Sequence, residues 1–215
     1  MTRHADWYFD YVSPFAYLQL EAFEALPAGL EIRIHPVLFA GLLGHWGHLG
    51  PAEIPAKRLQ TYRYCQWLAD RRGVPFRTPE RHPFNPLALL RLTLSLGSDR
   101  ETTRTVFRHV WGRGQDGESP ESLERLADTL GINDLERRIA DPAMKQRLRE
   151  NTEQAVARGV FGIPTMAIDD ELFWGEDSTG MLLDYLDDPQ TFQRGEHARL
   201  RDLPVASVRV QSRLG

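Results

Sequence analysis

Three short stretches carry the residues that could do chemistry. The first is Phe9-Asp10-Tyr11-Val12-Ser13-Pro14-Phe15-Ala16-Tyr17, where an apolar run breaks and restarts on a Ser-Pro pair. Serine is a preferred helix N-cap and proline suits the first helical position, so Ser13-Pro14 opens a helix. Two readings of Ser13 stand side by side. In one it is a cap and nothing more, a device the chain repeats at Asn85-Pro86, Ser119-Pro120 and Asp141-Pro142. In the other its position matters. A helix N-terminus has orphan N–H groups and the positive end of the helix dipole, and a thiolate placed there is stabilised. The chain has no thiol at this turn, so a ligand would have to bring the sulfur and Ser13 would donate a hydrogen bond to it. No G-x-S-x-G motif surrounds Ser13, which need not be a nucleophile.

The second stretch is Val160-Phe161-Gly162-Ile163-Pro164-Thr165. Its plain reading is a trans proline at the start of a strand. The third is Glu176-Asp177-Ser178, acids in the first turn of a helix. They are good dipole partners. They are also a candidate amino-acid clamp, with Asp177 pairing with an α-ammonium while helix N–H groups take an α-carboxylate. His45 and His48 are three apart, but a glycine lies between them and no third ligand follows at metal spacing, so no metal site is read. His48, Trp46 and Lys57 are candidates to line a pocket. Asn85 caps its helix and could turn its amide to a ligand. Cys65 reads as a packed thiol, since no basic group is placed to activate it, and a single cysteine allows no internal disulfide.

The elements that must position these residues follow from periodicity. Residues 6–11 read as a buried strand, and Pro14 to about Leu26 has helical spacing. Leu30, Ile32 and Ile34 alternate with polar residues as a half-exposed strand. Strand, helix, strand implies a βαβ unit with a parallel pair. Residues 41–55 hold four glycines and two prolines and read as an ordered functional loop. Residues 56–160 read as helices that mostly end on glycine, with no strand signal. Met166-Ala167-Ile168 and Leu172-Phe173-Trp174 then form a hairpin about Asp169-Asp170, and a helix runs to about Leu186. The tail, residues 189–215, is polar, with Leu203, Val205 and Val208 as possible docking points.

The expected fold is therefore α/β: a thioredoxin-like domain from residues 5–42 and 160–188, with an all-helical domain, 55–159, inserted into it. In that frame positions 13 and 16 are those of a Cys-x-x-Cys pair, and here they are Ser13 and Ala16. The Ile163–Pro164 bond is expected to be cis, with Ile163 offering its backbone to an extended peptide. At 215 residues the chain can bury roughly 70% of its unfolded surface. A net charge of −4 argues against general nucleic-acid binding. No stretch approaches the ~20 apolar residues that span a bilayer, and the N-terminus lacks a signal-peptide core. The expectation is a cytoplasmic protein with no nucleic-acid or membrane partner.

The stretches above, with Pro55-Ala56-Lys57-Arg58, Phe84-Asn85-Pro86-Leu87 and Phe173-Trp174-Gly175-Glu176-Asp177, resemble 2-hydroxychromene-2-carboxylate isomerases, which belong with kappa-class glutathione transferases and DsbA-like oxidoreductases. The resemblance runs from about residue 5 to the end of the last α/β helix. It implies glutathione as cofactor, a small aromatic carboxylate as substrate, and a homodimer. Ser13 matches the serine beside the glutathione sulfur. Ile163 matches the residue whose backbone pairs with the cysteinyl part, and Pro164 the cis proline. Glu176 and Asp177 match the pair that holds the γ-glutamyl end. Lys57 and Asn85 lie in matching segments. His48 stands where asparagine is frequent, and Ser178 where arginine is usual. The implied reaction interconverts 2-hydroxychromene-2-carboxylate and trans-o-hydroxybenzylidenepyruvate, in naphthalene-type aromatic breakdown, through reversible addition of a borrowed thiolate. Alternatives are a kappa-type transferase or peroxidase and a non-catalytic glutathione-binding module. With Ser13 and Ala16 at the redox positions, a thiol–disulfide oxidoreductase lacks its pair.

Overall fold

A computed structural model describes residues 3–207. Four strands form one mixed sheet in the order β2-β1-β3-β4: β1 (Arg3–Phe9), β2 (Leu30–Pro36), β3 (Thr165–Ile168) and β4 (Glu171–Trp174). β1 pairs in parallel with β2, Trp7 opposite Ile34, and antiparallel with β3, Trp7 opposite Met166. β3 and β4 are the expected hairpin, with Met166 opposite Phe173. The central strand β1 is buried from Ala5 to Phe9, which explains its nearly unbroken apolar sequence. β2 lies at the edge, where alternation survives as alternating burial.

Side chains alternate across β1. On one face Trp7 and Phe9 stack at 4.5 Å, and Tyr11 continues the row onto Phe107 at 4.6 Å. Tyr8, on the other face, packs with Val37, Leu42, Ala155, Val160, Ile163 and Ala167. The intervening helices are α1 (Pro14–Glu21), α2 (Phe39–Trp46), α3 (Pro55–Arg72), α4 (Leu87–Ser95), α5 (Arg100–Phe107), α6 (Pro120–Leu130), α7 (Leu135–Ala140) and α8 (Pro142–Ala157). α5 runs on into a π-helical turn, Arg108–Gly112. This is the thioredoxin-like α/β arrangement with its helical insertion.

Two local expectations are corrected. The first helix stops at Glu21, and a separate 3-10 turn covers Phe23–Ala25. The glycine-rich segment 41–55 is not one long loop: α2 occupies Phe39–Trp46, and a 3-10 turn covers Pro51–Glu53. The reason lies at Gly41. A Cβ there would stand 3.1 Å from Thr152 Cγ2, so the glycine lets α2 approach α8 closely. Its role is close packing within a helix, not chain reversal.

The chain up to Thr179 makes one compact unit and the part from Gly180 a second. α9 (Thr179–Asp187) and α10 (Gly195–Leu200) follow the sheet. In the second unit Tyr185 stacks on Phe192 at 5.4 Å, and Phe192 meets His197. Leu203 and Val205 are exposed, and Val208 lies outside the described residues. Among the described residues no helix is long and apolar enough to cross a membrane.

Candidate functional site

The sheet topology brings the three chemical stretches to one end. β1 runs toward that end and leaves it at Phe9. β3, antiparallel, starts there after Pro164, and β4 finishes there at Trp174. The turns 10–13, 162–164 and 175–178 are therefore neighbours, although up to about 165 residues separate them in the chain.

Ser13 is 7% exposed and caps α1: its Oγ accepts the Ala16 N–H at 3.2 Å. A hydroxyl has one donor and two acceptor positions. Capping uses an acceptor and leaves the O–H proton to donate elsewhere, so the two readings of Ser13 are compatible. The turn is held from below by Asp10, which is wholly buried. Asp10 Oδ1 accepts Val12 N–H at 3.1 Å, Oδ2 accepts Phe39 N–H at 2.8 Å, and its carbonyl accepts Ser13 N–H at 3.1 Å. Burial pushes the Asp10 carboxyl up to about 7, against the pull of those backbone donors.

A second support comes from the insertion. His82 Nε2 lies 2.7 Å from the Val12 carbonyl, and Tyr62 Oη lies 2.7 Å from His82 Nδ1. A carbonyl only accepts, so Nε2 carries the proton, and Nδ1 of the neutral ring accepts from the tyrosine. Burial holds the His82 pKa below its ordinary value, which favours this neutral form. The ring also meets Trp111 edge-on at 5.1 Å. The turn before Ser13 is thus braced by groups on two other segments, α2 and residues 62–82.

The Ile163–Pro164 peptide is cis. The Pro164 carbonyl accepts Gly175 N–H at 2.8 Å, which ties the second stretch to the third. The backbone N–H and C=O of Ile163 make no hydrogen bond to the described residues. Gln19 of α1 anchors the third stretch: its Nε2 donates to the Gly175 carbonyl and to Thr179 Oγ1, both at 3.2 Å, while its Oε1 accepts the Trp7 indole N–H. Gly175 sits at φ +91, and a Cβ there would lie 2.3 Å from Asp177 Oδ1. The positive φ favours glycine, and a Cβ there would push the Asp177 carboxylate away from the turn.

Glu176 and Asp177 are treated differently by the fold. Glu176 is 5% exposed and its Oε1 is 2.5 Å from Arg72 Nη2, at the end of α3. Asp177 is exposed. Helix α3 therefore delivers a cation, Arg72, to this turn, and Ser178 donates to the Gly175 carbonyl at 2.8 Å. Cys65, on the same helix, is buried, and burial together with the Glu176 charge pushes its thiol up to about 12. It is a packed thiol, not a nucleophile.

The remaining candidates stand apart. The expected Asn85 cap is corrected: Pro86 is the N-cap of α4, and Asn85, exposed, stands one residue before it with its Oδ1 accepting Leu87 N–H at 3.1 Å. Lys57 is exposed in the first turn of α3, and His48 is exposed after α2. No side-chain bond ties either to Ser13 among the described residues, and no group of three or more His, Cys, Asp or Glu there could hold a metal. Asp10, the Tyr62–His82 pair, Gln19 and Arg72 are the site-supporting residues that motif reading misses. Only Asp10, a lone acid in an apolar run, leaves a local trace.

Comparison with known proteins agrees with this geometry. Residues 5–187 match the family model of the DsbA-like thioredoxin domain. A 2-hydroxychromene-2-carboxylate isomerase of Sphingobium xenophagum is 30% identical over 194 residues, covering 86% of this chain and 99% of the relative. Glutathione S-transferase kappa 2 of Caenorhabditis elegans is 26% identical over 205 residues, 85% of this chain and 91% of the relative. The solved structure of a 2-hydroxychromene-2-carboxylate isomerase superposes with a TM-score of 0.74 at 26% identity, over 92% of this chain and 98% of that one. The chain thus belongs to the DsbA-like thioredoxin family, and within it with the 2-hydroxychromene-2-carboxylate isomerases.

Proposed function

We propose that the protein is a glutathione-dependent isomerase that interconverts 2-hydroxychromene-2-carboxylate and trans-o-hydroxybenzylidenepyruvate. The observation that carries this reading is the buried Ser13 at the start of α1. Its hydroxyl proton is left unused by capping, and Ala16 stands three residues on where a redox partner would be. Glutathione, when bound, supplies a thiolate able to add reversibly to a conjugated double bond.

The chain's own residues do the rest. Ser13 donates to the sulfur, and the α1 N-terminus favours its anionic form. The unpaired backbone of Ile163 takes the cysteinyl part as a short added strand. Exposed Asp177 pairs with the glutamyl ammonium. Arg72, held in place by Glu176, would donate to the glutamyl carboxylate. The fit is one of donor and acceptor type: a hydroxyl for the sulfur, a free amide for the peptide, opposite charges for the zwitterionic end. Lys57, Asn85 and His48 are further proposed glutathione contacts beyond this core set. The kinship with kappa-class transferases keeps one other reading in view, in which the same thiolate attacks other electrophiles.

The test is a spectrophotometric assay with 2-hydroxychromene-2-carboxylate, with and without glutathione. Glutathione-dependent turnover is expected, and turnover at full rate without glutathione refutes the borrowed thiolate. Ser13→Ala should cut activity ~10²-fold or more, the scale for losing one such electrostatic donor. Millimolar glutathione should raise Tm by mass action.

A further inference from the structure

The side chains of α2, α4 and α8, with Leu38 just before α2, line a half-open cavity of about 540 Å³, a size in the range of small-molecule pockets. Leu38, Leu87, Leu148 and Val156 give it apolar walls, while Arg91 and Lys145 add positive charge. Glu153, the acid on its wall, is already paired with Arg149 at 2.7 Å. The net field in the cavity is positive.

Arg91 is the telling residue. A guanidinium has five donors and wants planar acceptors. Here Arg91 has one long hydrogen bond, from Nη1 to the Ile139 carbonyl at 3.4 Å, and its Nε is buried without a partner. Among the described residues no carboxylate lies within ion-pair distance of it. A half-buried cation left so poorly paired is costly unless an anion completes it. Leu38, on the cavity wall, precedes Phe39, whose N–H binds Asp10 beneath the Ser13 turn.

We infer that this cavity is the seat of the aryl carboxylate substrate, with the aromatic body on the leucine and valine walls and the carboxylate on Arg91. The identity of the ligand rests on the isomerase reading above; the place and the chemistry rest on the cavity. A half-open pocket with leucine and valine walls and an unsatisfied guanidinium selects a flat organic anion over either a neutral aromatic or an inorganic ion.

The test titrates the whole protein with trans-cinnamate, a non-isomerising aryl carboxylate, and with cinnamyl alcohol, its neutral counterpart. Arg91→Gln should weaken cinnamate binding by about 10-fold or more, the scale of one charge-assisted hydrogen bond, and leave the alcohol and glutathione unaffected. In turnover it should raise KM with kcat nearly unchanged. Val156→Phe, which fills the cavity from the opposite wall, should weaken both aromatic probes and serves if Arg91→Gln fails to fold. Cinnamate binding indifferent to both substitutions overturns the inference. So does Arg91-dependent cinnamate binding with an unchanged KM, since the cavity would then not hold the reacting molecule. Arg91-dependent binding in a protein with no glutathione-dependent turnover refutes the isomerase reading and leaves the aryl-carboxylate site standing.

Discussion

Asparagine at position 10 tests whether a buried carboxylate holds the Ser13 turn in place. Asp10 accepts two backbone N–H groups through two different oxygens, at 3.1 Å from Val12 and 2.8 Å from Phe39. Asparagine keeps one acceptor oxygen and turns an NH2 toward the other N–H. One buried donor loses its partner, a loss of about 1–3 kcal/mol. The pH dependence sharpens the test. The folded pKa of about 7 lies above the ordinary value of 3.8, so between those limits the folded state holds the proton and the unfolded state does not. Wild-type stability therefore falls as pH rises through this window, by about 1.4 kcal/mol per pH unit and about 4 kcal/mol in all. Asp10→Asn has no such slope. Its deficit relative to wild type should be greatest near pH 5 and shrink by about 2–3 kcal/mol toward pH 8, closing or reversing. Urea unfolding of both proteins across that range gives the difference, in which every other titrating group cancels. A difference constant to within about 0.5 kcal/mol, the scatter of ordinary surface effects, would refute the picture of Asp10 as a strained, buried acid. A variant with intact turnover would remove it from the positioning of Ser13.

Other perturbations follow from the same contacts. His109, buried with Nε2 2.8 Å from Ser122 Oγ, is pushed down to about 4 by burial and by the charges of Arg113 and Arg125. Its stabilising contribution is present above the ordinary pKa of 6.5 and is lost as pH falls toward 4; His109→Gln should flatten Tm against pH across that interval, and an unchanged slope would count against it. Arg72→Leu leaves the Glu176 carboxylate buried alone. Because Arg72 is itself over a third exposed, we expect about 1–3 kcal/mol of destabilisation in place of the full cost of breaking a buried pair. Glutathione affinity should also drop, as read by calorimetry; loss of stability with unchanged affinity would confine Arg72 to a structural part. Gly175→Ala meets both a φ of +91 and the Asp177 carboxylate. It should lose about 1–2 kcal/mol and weaken glutathione binding, and wild-type affinity in that variant would free Asp177 from the clamp.

Much of the architecture could be read from the chain because the signals are local and repeated. The apolar run of β1, the alternation of β2 and the hairpin about Asp169-Asp170 each reflect burial pattern alone. α3 and α6 end where glycine follows, at Gly73 and Gly131. α2 escaped notice for a specific reason. Its glycines match the composition of a loop, and the use of one of them, Gly41, to let α8 come near through Thr152, depends on a neighbour more than a hundred residues away. Composition cannot distinguish a glycine that breaks a helix from one that lets two helices touch.

The candidate site divides along the same line. Ser13, the cis peptide at Pro164 and the acids at 176–177 sit at turns with a local signature, so the sequence marks them. What makes them a site is a set of single polar contacts between distant segments: His82 to the Val12 carbonyl, Gln19 to Gly175, Arg72 to Glu176. None has a period or a spacing, because each needs only one side chain of the right length at the right place. The helical insertion is the source of two of the three. It supplies the brace on the Ser13 turn through Tyr62 and His82 and the cation beside Glu176 through Arg72, while α4 and α8 form two walls of the cavity around Arg91. In this fold the sheet places the candidate groups at one end, and the inserted helices set the charge around them. Substitutions in the insertion should therefore alter specificity before they alter the fold, whereas those in β1 should do the reverse.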